Sequence, residues 1–318
     1  MKRNSNMLLS VIICTYNRSE LLSQALGSLI CQTLEKKSYE IVVVNNGSTD
    51  NTSDVVRSVQ RRYKNHIINL IEEKRLGLGI ARNTGLLRAK GKYVTFLDDD
   101  AKADPNWLQE SLRIFENIKP VPLVVGGQII PFYSRQKPPW FSDRYEADFK
   151  GNKSRYLHKG ESFSGSNMVV EKKTLLQYGG FEENVGMKGN ILSVGEETGF
   201  FERVWDKSEL EKIFYYCPDL KVYHLVPPNK TRVVYRLKRY FVSGQSSCVR
   251  YGKKKYTERL IYVSKSIGFL ILSLIKIIFP PVYSFSFQGW IVERLGPVAW
   301  CLGFLSHFSG LSIKVNQS

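Results

Sequence analysis

The sequence predicts an α/β fold with a mostly parallel central sheet flanked by helices, followed by a basic and apolar helical tail. Three observations carry this reading. Apolar runs of strand length alternate with helical stretches up to about residue 130. Most of those runs are apolar on both faces, as strands of a parallel sheet covered by helices are. Beyond Pro227-Pro228 the composition changes to Lys, Arg and large apolar residues.

Taken in order, Leu8 to Thr15 reads as a buried strand. The basic residues before it mimic a signal peptide, but the run passes into TYNRSE without a small-residue cleavage site. Asn17 or Ser19 is placed to cap a helix reaching about Cys31. Glu40 to Val44 is a second strand, and Asn45 to Asp50 supplies turn and cap residues for a helix from Thr52 to Tyr63. Ile67 to Ile71 is a weaker third strand, after which Gly77-Leu78-Gly79 opens a helix over Ala81 to Ala89. Tyr93 to Asp100, YVTFLDDD, is an apolar strand that ends in three carboxylates. Asp104 reads as an N-cap with Pro105 at the first helical position, starting a helix to Phe115. Leu123 to Ile130 is a further strand. Pro131 to Gly160, with Pro138, Pro139, Trp140 and Phe141, is a long irregular region that either covers a site or packs as a satellite core. Phe163 to Val170 is a small-residue turn entering a strand, Gly195 to Phe200 starts a helix carrying Arg203, and Asp219 to His224 is a last short strand.

A length of 318 residues with 43% hydrophobic content allows one large or two ordinary domains, divided here as 1–228 and 229–318. The net charge of +17 favours an anionic partner, whether nucleotide, lipid headgroup or nucleic acid. Five scattered cysteines without a C-x-x-C pair argue for free thiols over a disulfide framework or zinc site. Asn229 to Lys265 holds eleven Lys or Arg against the single acid Glu258. Ile267 to Phe279 is strongly apolar yet short of the ~20 residues a bilayer span needs. With Tyr283, Trp290 and Trp300 nearby, the tail reads either as a surface that lies on an anionic membrane or as packed helices.

Asp98, Asp99 and Asp100 repel one another unless a cation, an Arg or water offsets their charge. Their oxygens suit Mg²⁺ or Mn²⁺, which accept phosphate oxygens as further ligands. A solvated acidic turn is the alternative. In α/β sheets ligands bind beyond the carboxyl ends of the strands, so Thr15 to Asn17, Asn45 to Asn46 and Asp98 to Asp100 are expected along one edge. Glu196 and Glu197 at a helix start fit the helix dipole without any catalysis.

The segments SVIICTYNR, EIVVVNNGSTDNT, GLGIARNTGLLRAKGKYVTFLDDDAKADPNWL, GSNMVVEKKTLLQYGGFEE and GEETGFFERV follow the order and spacing of family 2 glycosyltransferases. The chain resembles that family from about Leu8 to His224. The resemblance implies a GT-A fold, and the tail is similar to that of membrane-associated bacterial members that build surface polysaccharides. It further implies that Thr15, Asn17 and Arg18 begin a nucleotide pocket, with Asn45 facing the base where the family usually has Asp. Arg82 and Asn83 match an R-N-x-G segment near the nucleotide or diphosphate. Asp98 to Asp100 match the D-x-D region, with Asp100 on the metal, Asp99 on ribose or metal, and Asp98 in the nucleotide-sugar site. Glu197, or failing it Glu196, corresponds to the general base of inverting members. Gly165 to Asn167 match a G-x-N turn beside the donor sugar, and His224 matches a His that contributes to metal or diphosphate binding.

The implied reaction is metal-dependent transfer, using Mn²⁺ or Mg²⁺, from a nucleotide-diphosphate sugar such as a UDP-sugar to a saccharide or lipid-linked acceptor. An anionic membrane surface is an expected partner, nucleic acid is not, and the expected place is the cytoplasmic face of the membrane. Two other readings remain. One is an inactive adaptor that keeps the fold. The other is a Rossmann dehydrogenase, although Arg82 occupies the place of its third glycine.

Overall fold

The computed structural model describes residues 7–251, 256–278, 286–311 and 313–316. Lys253 to Lys255, Phe279 to Pro281 and Tyr283 lie outside them, as do the side chains of Arg250, Glu258 and Arg259. The chain forms two compact units. The first comprises Met1–Phe132, Glu146–Glu183 and Glu197–Leu225, the second Tyr133–Tyr145, Asn184–Glu196 and Val226–Ser318. Two internal segments therefore accompany the tail, which a single division between residues 228 and 229 does not anticipate.

The first unit is built on β1 (Leu9–Thr15), β2 (Tyr39–Asn45), β3 (Ile67–Glu72) and β4 (Tyr93–Phe96), parallel to one another in the order β3-β2-β1-β4. Every residue of β2 is buried, in keeping with its apolar run from Ile41 to Val44. Side chains alternate between the two faces. Val11 and Ile13 join a core with Leu22, Leu26 and Trp107, while Ile12 joins another with Val42, Phe96 and Phe200. Buried Glu40 is satisfied by Ser10 Oγ at 2.7 Å, the Lys90 amide at 2.6 Å and Asn69 Nδ2 at 2.8 Å. Those bonds tie β1, β2 and β3 to the turn that enters β4.

The other half of the sheet, which includes the strands expected near Leu123, Met168 and Asp219, is antiparallel. β5 (Ala101–Ala103), β6 (Val124–Tyr133), β7 (Arg155–Tyr156), β8 (Met168–Glu171) and β9 (Phe214–Val226) extend the order as β4-β8-β6-β9-β5, with β7 on β9. A short apolar run buried on both faces has the same period in either direction, so sequence alone does not distinguish them. Two pairings matter for the site. Thr95 lies opposite Val169, and Ala101 lies opposite His224.

Helices α1 (Ser19–Ile30), α2 (Thr52–Arg62), α3 (Leu78–Arg88), α4 (Trp107–Asn117), α5 (Lys172–Gln177) and α6 (Thr198–Lys207) belong to this unit. Two expected caps are corrected. Arg18 occupies the cap position of α1 without a side-chain bond, and the Ser19 amide is instead accepted by Asp50 Oδ2 at 3.2 Å. Helix α4 begins at Trp107, because Asp104 Oδ1 accepts the Asn106 amide at 3.0 Å and holds a turn ahead of the helix.

In the second unit α7 (Val233–Tyr251), α8 (Tyr256–Lys276) and α9 (Phe287–Phe308) pack together. Helices α7 and α9 meet backbone to backbone. A Cβ on Gly244 would lie 2.0 Å from the Trp300 carbonyl oxygen, and one on Gly303 would lie 1.9 Å from that of Phe241. Trp140, Phe141 and Tyr145 form an aromatic cluster in this unit, with the Arg236 guanidinium 4.9 Å from the Tyr145 ring centroid. Of the two readings of the Pro131 to Gly160 region, these residues show the satellite core. Among the described residues no helix is long and apolar enough to cross a membrane. Helix α8 nevertheless exposes Ile267, Phe269, Ile271, Leu272, Leu274 and Ile275.

Candidate active site

The parallel register sets Thr15 beside Asn45 at the carboxyl ends of β1 and β2. Just beyond, Asn17 adopts φ of 53°, a left-handed conformation that Asn tolerates better than most residues. Its amide donates to Ser48 Oγ at 2.9 Å and its Oδ1 accepts the Thr49 amide at 2.7 Å, so the two crevice loops are tied together. Asn45 accepts the Ser48 amide at 3.0 Å and donates to Ser53 Oγ at 2.9 Å. An Asn amide thus serves loop shape here, donating and accepting at once. Thr15 Oγ1 is buried, and the Thr15 side chain stands by the Asp99 carboxylate, favouring its charged form.

At the end of β4 the three aspartates part company. Asp99 is buried, and Arg18 Nη1 lies 3.1 Å from its Oδ1. Burial pushes the Asp99 carboxyl up to about 6; the Arg18 guanidinium pulls it down, and the neighbouring Asp100 charge adds to the rise. Arg18 is itself raised, because Asp99 and Asp100 outweigh the cost of its own burial. Asp100 divides its oxygens, with Oδ2 2.8 Å from Arg18 Nη1 and Oδ1 3.2 Å from His224 Nε2. Asp98 Oδ2 lies 3.4 Å from the same imidazole nitrogen.

Asp98, Asp100 and His224 therefore present three ligand atoms within 4.8 Å of one another. His224 arrives there because β9 pairs with β5 immediately after Asp100. Of the two roles expected for Asp99, ribose or metal, the grouping does not include the second. Buried with Arg18 as its counter-ion, Asp99 stays outside this group, and Asp98 takes its place. Two carboxylates and an imidazole are a donor set that fits Mn²⁺ or Mg²⁺.

A second arrangement adjoins the first. Arg82 is buried, with its guanidinium 5.8 Å from the Phe96 ring centroid and 5.3 Å from that of Phe181. Its Nη2 donates to Asp98 Oδ1 at 3.3 Å, and its Nη1 lies 3.8 Å from Glu197 Oε2. Gly165 makes room for this, since a Cβ there would come 2.8 Å from Arg82 Nη1. Glu197 sits at the start of α6, and its Oε2 is buried without a hydrogen-bond partner among the described residues. Glu196 belongs to the second unit, where its carboxylate packs against Gly186.

Residues 10–179 match the family described as Glycosyl transferase family 2. The chain belongs to that family. It is 27% identical over 249 residues to glucosyl-dolichyl phosphate glucuronosyltransferase of Haloferax volcanii, covering 76% of this chain and 77% of that protein. It is 38% identical over 197 residues to glycosyltransferase AglE of the same organism, covering 62% and 61% respectively. Among solved structures, mannosyltransferase PcManGT from Pyrobaculum calidifontis, in complex with GDP-Man and Mn²⁺, superposes with a TM-score of 0.61 at 18% identity. That match covers 93% of this chain and 86% of the other. TarS 1-349 of S. aureus, in complex with UDP, gives a TM-score of 0.55 at 17% identity over 96% and 92%. These likenesses establish the GT-A fold.

In this family 2 glycosyltransferase, two residues expected at the donor, half-buried Asn83 and buried Asn167, are held by hydrogen bonds within the chain. Asn83 clamps the turn before residue 182, donating to the Phe181 carbonyl at 3.0 Å and accepting the Phe181 amide at 2.9 Å. Asn167 is wholly buried. Its Oδ1 accepts Trp107 Nε1 at 2.8 Å, and its Nδ2 donates to the carbonyls of Gln128 and Leu220, each at 2.9 Å. Asn167→Leu would strand one donor and two acceptors in the core at about 1–3 kcal/mol each. The unfolding midpoint is expected to fall by roughly 6–12 °C or more, and a calorimetric scan showing no fall would contradict the structural role.

Ser166 and Asn46, in segments expected at the crevice, shape it through bonds to the backbone. Ser166 Oγ accepts the Asp98 amide at 3.1 Å. Asn46 donates to the Glu73 and Arg75 carbonyls at 3.1 and 2.7 Å and accepts the Gly77 amide at 2.9 Å, which sets the loop that opens α3. Neighbouring turn asparagines hinted at a local role for Asn46, but its partners lie some thirty residues on.

Proposed function

We propose that this glycosyltransferase moves a sugar with inversion from a nucleotide-diphosphate donor to a hydroxyl of a lipid-linked acceptor. The reaction uses a divalent cation, and the enzyme works on the cytoplasmic face of an anionic membrane. The observation that carries the reading is the grouping of Asp98, Asp100 and His224 beside Arg82 and Glu197. An inactive adaptor would have no need of that set.

A divalent cation bound by Asp98, Asp100 and His224 would offset the charge of the departing diphosphate. Arg82, pinned between two aromatic rings, presents a fixed positive charge beside that acidic group. Glu197 is the base. Its Oε2 has no hydrogen bond to break and can receive the acceptor hydroxyl's proton.

The donor class is supported by the family match and by the GDP-Man and UDP complexes of the solved relatives. The lipid-linked acceptor is supported by the dolichyl phosphate in the name of the Haloferax relative. The basic stretch from Asn229 to Lys265 and the exposed apolar side chains of α8 favour an anionic membrane surface. The test is a thermal-shift series of UDP- and GDP-sugars with and without Mn²⁺. A true donor is expected to raise the midpoint with the logarithm of its concentration, and only with the cation present. Absence of any such shift across the series would overturn the reading.

A further inference from the structure

The second unit holds a feature that the transfer reaction leaves unused. Tyr240 of α7, Tyr262, Lys265 and Phe269 of α8, and Pro297 and Trp300 of α9 line an open cavity of about 470 Å³. Pockets for small ligands occupy roughly 300–1,000 Å³. The wall is mainly ring and hydrocarbon, with Phe269 and Trp300 edge to face at 6.3 Å and Trp300 stacked on Phe304 at 5.6 Å.

The cavity is braced by close packing. Gly296 makes room for the Tyr240 ring, since a Cβ there would come 2.6 Å from it, and Cys301 Sγ lies 3.5 Å from the Ser266 carbonyl oxygen, linking α9 to α8. One cation belongs to the lining. Lys265 is exposed, its ammonium 5.9 Å from the Tyr262 ring centroid, and it pairs with no carboxylate among the described residues.

An apolar cavity with a single exposed ammonium suits neither a free sugar, which needs several hydrogen-bonding groups, nor a nucleotide, whose phosphates need more charge. It suits a hydrocarbon chain that ends in a phosphate. We propose that this cavity seats the first part of the hydrocarbon chain of a lipid phosphate acceptor, with Lys265 receiving the phosphate. This rests on the reading of the acceptor as lipid-linked. The occupant is the acceptor lipid and not bulk phospholipid, because the open cavity has room on the scale of one small ligand and offers one charge for one phosphate.

The test titrates the full chain with farnesyl phosphate, geranyl phosphate, farnesol, inorganic phosphate and phosphatidylglycerol vesicles, read by tryptophan fluorescence and calorimetry. Farnesyl phosphate is expected to bind, the shorter geranyl phosphate about tenfold or more weaker, and inorganic phosphate not measurably. Lys265→Glu, at an exposed position that spares folding, should weaken farnesyl phosphate by about tenfold or more while barely changing farnesol. Ser266→Phe, which narrows the cavity from α8, should weaken both.

No binding of farnesyl phosphate, equal affinity for farnesol, or equal competition by phosphatidylglycerol vesicles would each overturn the proposal. The Mn²⁺-dependent thermal shift with nucleotide sugar, measured on the same samples, separates the two readings. If that shift survives while farnesyl phosphate fails to bind, the cavity assignment falls alone. If chain-length-dependent binding survives while no nucleotide sugar gives a shift, the donor reading falls and the lipid site stands.

Discussion

Asp100→Ala is expected to remove the Mn²⁺-dependent stabilisation by a nucleotide sugar and to lower turnover by at least about a hundredfold. The effect follows from how Asp100 divides its oxygens, one facing His224 and the other Arg18. Loss of that side chain takes away one of the three grouped donors, leaving Asp98 and His224. The fold should survive, because Arg18 retains its pair with Asp99 at 3.1 Å. Asp99→Asn supplies the contrast. It touches the Arg18 pair but not the grouped donors, so cation-dependent donor binding should persist in it. Retention of the Mn²⁺-dependent shift in Asp100→Ala, or its loss in Asp99→Asn alone, would contradict the assignment.

Glu197→Gln is expected to lower kcat by roughly 10²–10⁴ while leaving donor affinity unchanged, the range general-base removal commonly shows. The substitution preserves shape and breaks no hydrogen bond at Oε2, which has none among the described residues. It removes the charge that stands 3.8 Å from Arg82 Nη1 and the capacity to take a proton. Glu196→Gln should alter turnover far less, since that carboxylate packs against Gly186 in the second unit. Full turnover by Glu197→Gln with normal donor binding would remove Glu197 from the mechanism.

The parallel half of the sheet was legible because its information is local. LSVIICT and YEIVVVN carry their burial in consecutive residues, and the turns after them carry Asn, Gly, Ser and Asp. What could not be read depends on distant partners. Asp98 and Asp99 are chemically identical neighbours, and only the placement of Arg18 and of His224, more than a hundred residues later, separates them. Asn167 lies in a glycine- and serine-rich turn of the kind that borders ligands, yet its amide is fully engaged by Trp107, Gln128 and Leu220. No periodicity in the sequence reports that the turn is packed under β6 and β9. Trp140 presents the same difficulty, since its aromatic partners suit a loop over a site as well as the small core it joins with Phe141 and Tyr145.

The backbone contact between α7 and α9 decides where the second unit can vary. At Gly244 and Gly303 even one methyl group would drive the helices apart, so neither position has a substitute that keeps the crossing. Helix α8, with Ile271, Leu272 and Leu274 exposed, answers to no such geometric limit on its outer face. What that face carries is set by the surface it meets, and the α7–α9 crossing stays as it is whatever that surface requires.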